Sequence, residues 1–250
     1  MKEILVSLFV LLSVHLFSQQ TDVLFKEAVN LERSQKEEAA LEKYKQILSS
    51  DPKNTKALVR SSELSSAIGA RQQDKNAKTV YYNLAKDYAD KAISIDSNNA
   101  DAYYVRAVAA GKLTEVETEN KKLVSDVKDI KIYADKALSL NPNHGKANYV
   151  LGKWNYEVLN LSWAKKAAVK VLFGGMPPAT IENAYKYMEK CKTLEPYFVR
   201  NYLDLARAYK YDHKPAPAIA VLNQLEKLPT RTADDAALKS EGKKLLSEMQ

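Results

Sequence analysis

At 250 residues, with 38 Lys and Arg against 31 Asp and Glu, the chain carries a formal charge of +7 and has room for one large domain or two small ones. Seven glycines and eight prolines among many Ala, Leu, Lys and Glu point to helices with short connections. The single cysteine, Cys191, excludes an internal disulfide, and no basic run interleaved with aromatics speaks for a nucleic-acid partner.

Residues 4–17 form an uncharged, mostly apolar run behind Met1-Lys2-Glu3. The run is shorter than the roughly 20 residues a membrane-spanning helix needs, and Ser18 supplies a small residue before a cut. It reads as a secretory signal peptide over 1–18, with an uncleaved anchor as the alternative. The mature protein is then expected in the periplasm or secreted.

Beyond it the chain repeats. Tyr88-Ala89-Asp90-Lys91-Ala92-Ile93-Ser94 returns 45 residues later as Tyr133-Ala134-Asp135-Lys136-Ala137-Leu138-Ser139. Helix stops recur in register at Asp51-Pro52, Asp96-Ser97, Asn141-Pro142 and Glu195-Pro196. Proline cannot continue a helix interior, and Asp or Asn before it favours a turn. The spacing resembles the tetratricopeptide (TPR) repeat, a helix-turn-helix unit of about 34 residues. With Thr21 as first position, the small-aromatic-apolar-Pro series of that repeat falls on Ala40, Tyr44, Ile47 and Pro52.

Units at 21–54, 55–99, 100–144, 145–198 and 199–232 measure 34, 45, 45, 54 and 34 residues. Eleven extra residues are about three helical turns, which predicts longer helices in the middle hairpins. Residues 233–250 read as a capping helix with Leu238, Leu245 and Met249 on one side. The expected fold is therefore all-α, a TPR-like right-handed superhelix of helical hairpins with elongated middle repeats and a C-terminal capping helix, as one domain over 19–250.

In such stacks the first helix of each unit lines the concave face. Register places Phe25, Val29, Val59, Glu63, Tyr104 and Val108 there in the N-terminal half. Lys146, Tyr149, Lys153, Tyr156, Arg200, Leu203, Arg207 and Lys210 follow in the C-terminal half. The groove is thus expected to be apolar and aromatic along much of its length and basic toward its C-terminal end. Tyr104, Val108, Tyr149, Lys153, Tyr156, Arg200, Leu203 and Arg207 are the candidate ligand residues. That face suits a peptide with a carboxylate, or an amphiphile whose anionic head meets Lys153, Arg200 and Arg207.

Unit four holds a second feature. Residues 161–173 make a short amphipathic helix with Lys165, Lys166 and Lys170, stopped by Gly174-Gly175 and Pro177-Pro178, and Thr180 can N-cap the next helix. Trp163, Lys165, Lys166 and Phe173 are candidates for a lid across the groove. A basic amphipathic helix can also lie on an anionic membrane, or simply extend the core.

Catalytic chemistry has little to stand on. His144 and His213 are far apart and in no metal-ligand spacing, and there is no glycine-rich phosphate loop, Gly-x-Ser-x-Gly elbow or Cys/His motif. No enzyme activity, cofactor or metal is expected, and His144 reads as a helix-start residue in the place of Asn54 and Asn99.

The run Leu151-Gly152-x-Trp154-x-Tyr156-Glu157, Trp163, Ala164-Lys165-Lys166, Leu172-Phe173-Gly174, Pro177-Pro178-Ala179-Thr180-Ile181-Glu182 resembles the regulator of microtubule dynamics family of TPR proteins. The similarity continues through Glu195-Pro196, Tyr209 and Pro229-x-x-Thr232-x-Asp234-Asp235. The resemblance implies an all-helical TPR-type domain. It also implies kinship with eukaryotic proteins placed at mitochondria, membrane contacts and microtubules, one of them linked to phospholipid binding and transfer. An exported chain would not meet tubulin. The reading is a non-enzymatic protein- or peptide-binding scaffold in the cell envelope, with lipid or apolar small-molecule binding in the groove as the alternative.

Overall fold

Twelve helices make up the described part of the chain in the computed structural model, which covers residues 20–175 and 177–249 apart from the side chains of Trp163, Ala164 and Ala168. The export signal read at 1–18 lies outside the described residues. The helices are α1 (20–33), α2 (Glu37–Ser50), α3 (Thr55–Arg71), α4 (Lys75–Ile95), α5 (Ala100–Leu113) and α6 (Asn120–Leu140). They continue as α7 (Gly145–Leu159), α8 (Trp163–Phe173), α9 (Ile181–Leu194), α10 (Val199–Tyr211), α11 (Pro215–Lys227) and α12 (Asp235–Ser247).

The joints between hairpins repeat one local device. Asp51, Asp96 and Asn141 each end a helix, and their side-chain oxygens accept the backbone N–H two residues on. Three residues after each, a side chain caps the next helix: Asn54 accepts from Ala57 N, Asn99 from Ala102 N and His144 from Ala147 N. Such caps satisfy N–H groups that the first helical turn leaves unpaired. At His144 the accepting atom is Nδ1, so the neutral ring carries its proton on Nε2 and donates it to Asp101 at 2.9 Å. At the fourth joint Phe198 replaces the polar cap and packs edge-on against Tyr149, with ring centroids 5.0 Å apart.

α1, α3, α5, α7 and α10 form an inner row and α2, α4, α6, α9 and α11 an outer row; each outer helix also packs on the next inner one. Three clusters make the core: Tyr44, Ile47, Leu64 and Ile68 at the N-terminal end; Leu58, Val105, Val150 and Leu151 in the middle; Met188, Leu205, Leu222 and Leu225 at the C-terminal end. Arg106 of α5 is buried between the rows, bonded to Asp90 of α4 at 2.7 Å and Asp129 of α6 at 3.1 Å and stacked over Tyr133. α12 closes the open end, burying Leu246 with Leu238, Leu245 and Met249 against it.

The stretched units differ from one another. α4 and α6 run 21 residues each, about 31 Å, so there the extra length is helix. In unit four it is a separate helix, α8, leaving α7 at 15 residues. Gly174, left-handed at φ 84°, ends α8, and Thr180 caps α9 by accepting from Asn183 N. Two residues of α7 fix its surroundings: the Trp154 indole donates to the Val127 carbonyl of α6, and Asn155 Oδ1 accepts from Thr180 N at the end of the insertion.

α7 and α9 approach closely at Gly152, where a Cβ would stand 2.6 Å from Met188 Cγ and 2.8 Å from the Ala184 carbonyl. Helix propensity favours alanine over glycine by about 1 kcal/mol, and overpacking against backbone costs about 1–3 kcal/mol. Gly152→Ala is therefore expected to lower the denaturation midpoint with an unchanged slope. A more stable variant would show that the two helices separate freely.

Candidate functional site

The inner row brings most of the groove residues onto one face, but carboxylates occupy it too. In the middle layer Glu63 of α3 is met by Lys146 of α7 at 3.0 Å and by Arg60, which also pairs with Glu32 of α1. Tyr104 stands beside them and is only 8% exposed. Burial opposes the charge on Glu63, yet Lys146 and Arg60 outweigh it and hold its pKa at about 2.

One layer on, Asp204 of α10 is 2% exposed and accepts from Tyr149 at 2.7 Å, Lys153 at 3.2 Å and Arg207 at 2.8 Å. Burial pushes its pKa up, and Lys153, Tyr149 and Arg207 bring it below the ordinary value. Arg207 also pairs with Glu241 of α12, and Lys153 with Glu157. At the far edge Asp234, at the start of α12, bonds Arg200 at 3.0 Å and Arg71 of α3 at 3.2 Å, and Arg71 holds Glu37 at 2.5 Å. The inner face is therefore spanned by ion pairs between units one, two, four and five and the cap.

This geometry revises the expected ligand set. Lys153, Arg200 and Arg207 come together, but each already faces a carboxylate, so the cluster is no free receptor for an anionic head group. Leu203 is fully buried in the C-terminal core and lines no surface, because it points between α10 and its neighbours. Tyr149 and Val108 pack with the middle core, and Tyr156 lies half-buried, edge-on to Tyr211. The Arg200-Asp204-Arg207 spacing, one helical turn apart, was the readable signal for this neutralisation.

The lid residues also lie elsewhere. α8 packs against α6, an outer helix, and Phe173 sits under Lys128 of α6 at 4.6 Å rather than across the concave face. Lys165 is exposed and Lys166 half-buried on the same helix, and the Trp163 side chain is outside the described residues.

The open part of the inner face is at its N-terminal end. A cleft of about 840 Å³ is floored by Phe25 and Val29 of α1 and edged by Asp22, Lys26, Asn30, Arg33, Asn54 and Lys56. Among the described residues Lys26, Arg33 and Lys56 form no ion pair, so three cations face one carboxylate, Asp22. Sequence reading found the apolar floor and missed these cations: Lys26 stands one position after Phe25, and Lys56 holds in its unit the place of Lys146 and Arg200 in theirs.

The pairing has a pH signature. Glu63 titrates below its unfolded value of about 4.5, so its stabilising contribution is present above that pH and lost as pH falls toward about 2. Glu63→Gln leaves Lys146 without a carboxylate and Arg60 with Glu32 alone. It is expected to cost on the order of 3 kcal/mol at pH 7, and the gap to wild type should close between about pH 4.5 and 2 in denaturant titrations. A gap independent of pH would refute the assignment.

Comparison with known proteins places this architecture. The family described as regulator of microtubule dynamics protein 1-3 matches residues 17–250. Rat regulator of microtubule dynamics protein 3 is 28% identical over 170 residues, covering 68% of this chain and 36% of that protein. Bovine regulator of microtubule dynamics protein 1 is 25% identical over 190 residues, covering 76% of this chain and 59% of that protein. The chain spans less than two thirds of the length of these curated relatives. Among solved structures, a thermophilic TPR protein of Thermus thermophilus matches with a TM-score of 0.66 at 15% identity, over 91% of this chain and 99% of that one. PilW, a widely conserved type IV pilus biogenesis factor, matches at 0.56 and 17% identity, over 92% and 90%. At such identities these two show the fold alone, a TPR-like helical superhelix, while the family match over nearly the whole length shows that the chain belongs to the regulator of microtubule dynamics protein 1-3 family.

Proposed function

We infer that the protein is a binding module that takes an acidic, partly apolar segment of a protein or peptide into the cleft beside α1. The TPR-like scaffold supports protein binding in general. The observation that carries the specific reading is the trio Lys26, Arg33 and Lys56, unpaired above the apolar floor of Phe25 and Val29. Elsewhere on the inner face the cations are neutralised internally, so an incoming anion gains most here. The same neutralisation weighs against an anionic lipid head at Lys153, Arg200 and Arg207. The apolar run at 4–17 supports an exported protein working in the cell envelope. In that setting the microtubule role in its relatives' names does not carry over.

A peptide library screened against the full chain tests this. Acidic peptides with an aromatic or aliphatic residue should be selected. Lys26→Glu with Arg33→Glu should weaken them by about tenfold or more, equivalent to about 1.4 kcal/mol, with an unchanged melting temperature. Selection without acidic preference, or equal binding by the double variant, would sink the reading.

A further inference from the structure

A second surface lies on the outer side, away from the cleft. α8 turns Val169 inward at 3% exposure, while Val171 is 79% exposed and Leu172 41%. Val171 is the most exposed of the large apolar side chains described. Lys165 and Lys170 are exposed beside them, and no Asp or Glu occurs between Glu157 and Glu182. Lys128 of α6, over Phe173, adds a further cation to the same side.

The carboxylates of α6 are engaged elsewhere: Asp129 is bonded to Arg106 and Asp135 to Lys131, and the charged neighbours of Asp126 are Asp129, Arg106, Glu117 and Lys86 rather than the lysines of α8. Lys165, Lys166 and Lys170 form no ion pair among the described residues. The helix therefore presents adjacent apolar side chains ringed by uncompensated positive charge. This is the arrangement of a helix that rests in a negatively charged lipid interface, apolar residues among the acyl boundary and lysines at the head groups.

We propose that α8 and the Gly174-Gly175 turn after it form a docking face for an anionic lipid bilayer surface. The helix lies flat, with Val171 and Leu172 entering the interface and Lys165 and Lys170 meeting lipid phosphates. The superhelix is held with its outer row toward the membrane and its N-terminal cleft free. A protein partner is the less fitting occupant, because two exposed apolar residues and a diffuse positive field offer little shape to recognise.

The test is co-sedimentation of the full chain with vesicles of phosphatidylcholine alone or with about 30 mol% phosphatidylglycerol. The expected result is a partition at least tenfold higher onto the anionic vesicles, falling as salt is raised. Val171→Glu with Leu172→Glu, and separately Lys165→Glu with Lys170→Glu, should each lower that partition about tenfold or more. Both pairs are exposed, so circular dichroism and melting temperature should stay as in wild type. Three outcomes overturn the proposal. One is no preference for anionic vesicles. Another is wild-type partition in both variants, which would place the binding elsewhere, such as the apolar run at 4–17. The third is loss in the lysine variant only, which would reduce the effect to long-range attraction without a seated helix.

Discussion

A carboxylate removed from water must find positive charge or protonate, and two of them organise the inner face. Glu63 and Asp204 lie in successive layers between inner helices, and each draws one counter-charge from its own helix and another from α7. Replacing an ion pair by packed apolar residues is often neutral or stabilising, so such pairs are weak evidence of stability gained. What they supply is geometry. With Lys146 bound to Glu63, α7 cannot turn about its axis relative to α3 without stranding a charge. Asp204 places the same condition on α7 and α10, and Arg106 of α5 places it on α4 and α6.

The consequence for binding is a division of labour along one face. Where the layers are charge-matched, the superhelix is rigid and electrically quiet. Where they are not, at α1, the cations remain available. The two surfaces proposed to act, the cleft and α8, share one property: basic groups that the fold leaves without internal partners. One lies at the terminal unit of the stack and the other at its largest insertion.

Much of this was legible because it is local. Proline and Asx residues mark helix ends within a few positions, and the caps at Asn54, Asn99, His144 and Thr180 stand three residues before the N–H groups that donate to them. The neutralisation at Asp204 was also within reach, since Arg200 and Arg207 lie one turn to either side. Three things were not legible. The orientation of α8 was hidden because apolar residues occur on both its faces, and only the contact with α6 decides which is buried. The burial of Leu203 depends on where α12 and α9 stand. Pairs such as Glu63–Lys146 and Arg71–Asp234 join residues that no periodicity relates, and they follow from the curvature that the stacked hairpins accumulate.

That last pair changes what kind of object the repeat array is. Repeat stacks are ordinarily quasi-one-dimensional: each unit knows only its neighbours, and melting creeps inward from the ends. Here Arg71 and Asp234 touch across 163 residues of chain. Closing a flexible loop of that length costs on the order of 4–5 kcal/mol, and a partly exposed ion pair returns at most about 1 kcal/mol. The pair therefore cannot gather the ends by itself; it forms because stacked helices already deliver them to within bonding distance. Once made, it turns an open row into a loop. Fraying of α12 then withdraws a partner from α3 as well as from α10, so the C-terminal end and the second repeat share a fate that nearest-neighbour stacking alone would leave separate.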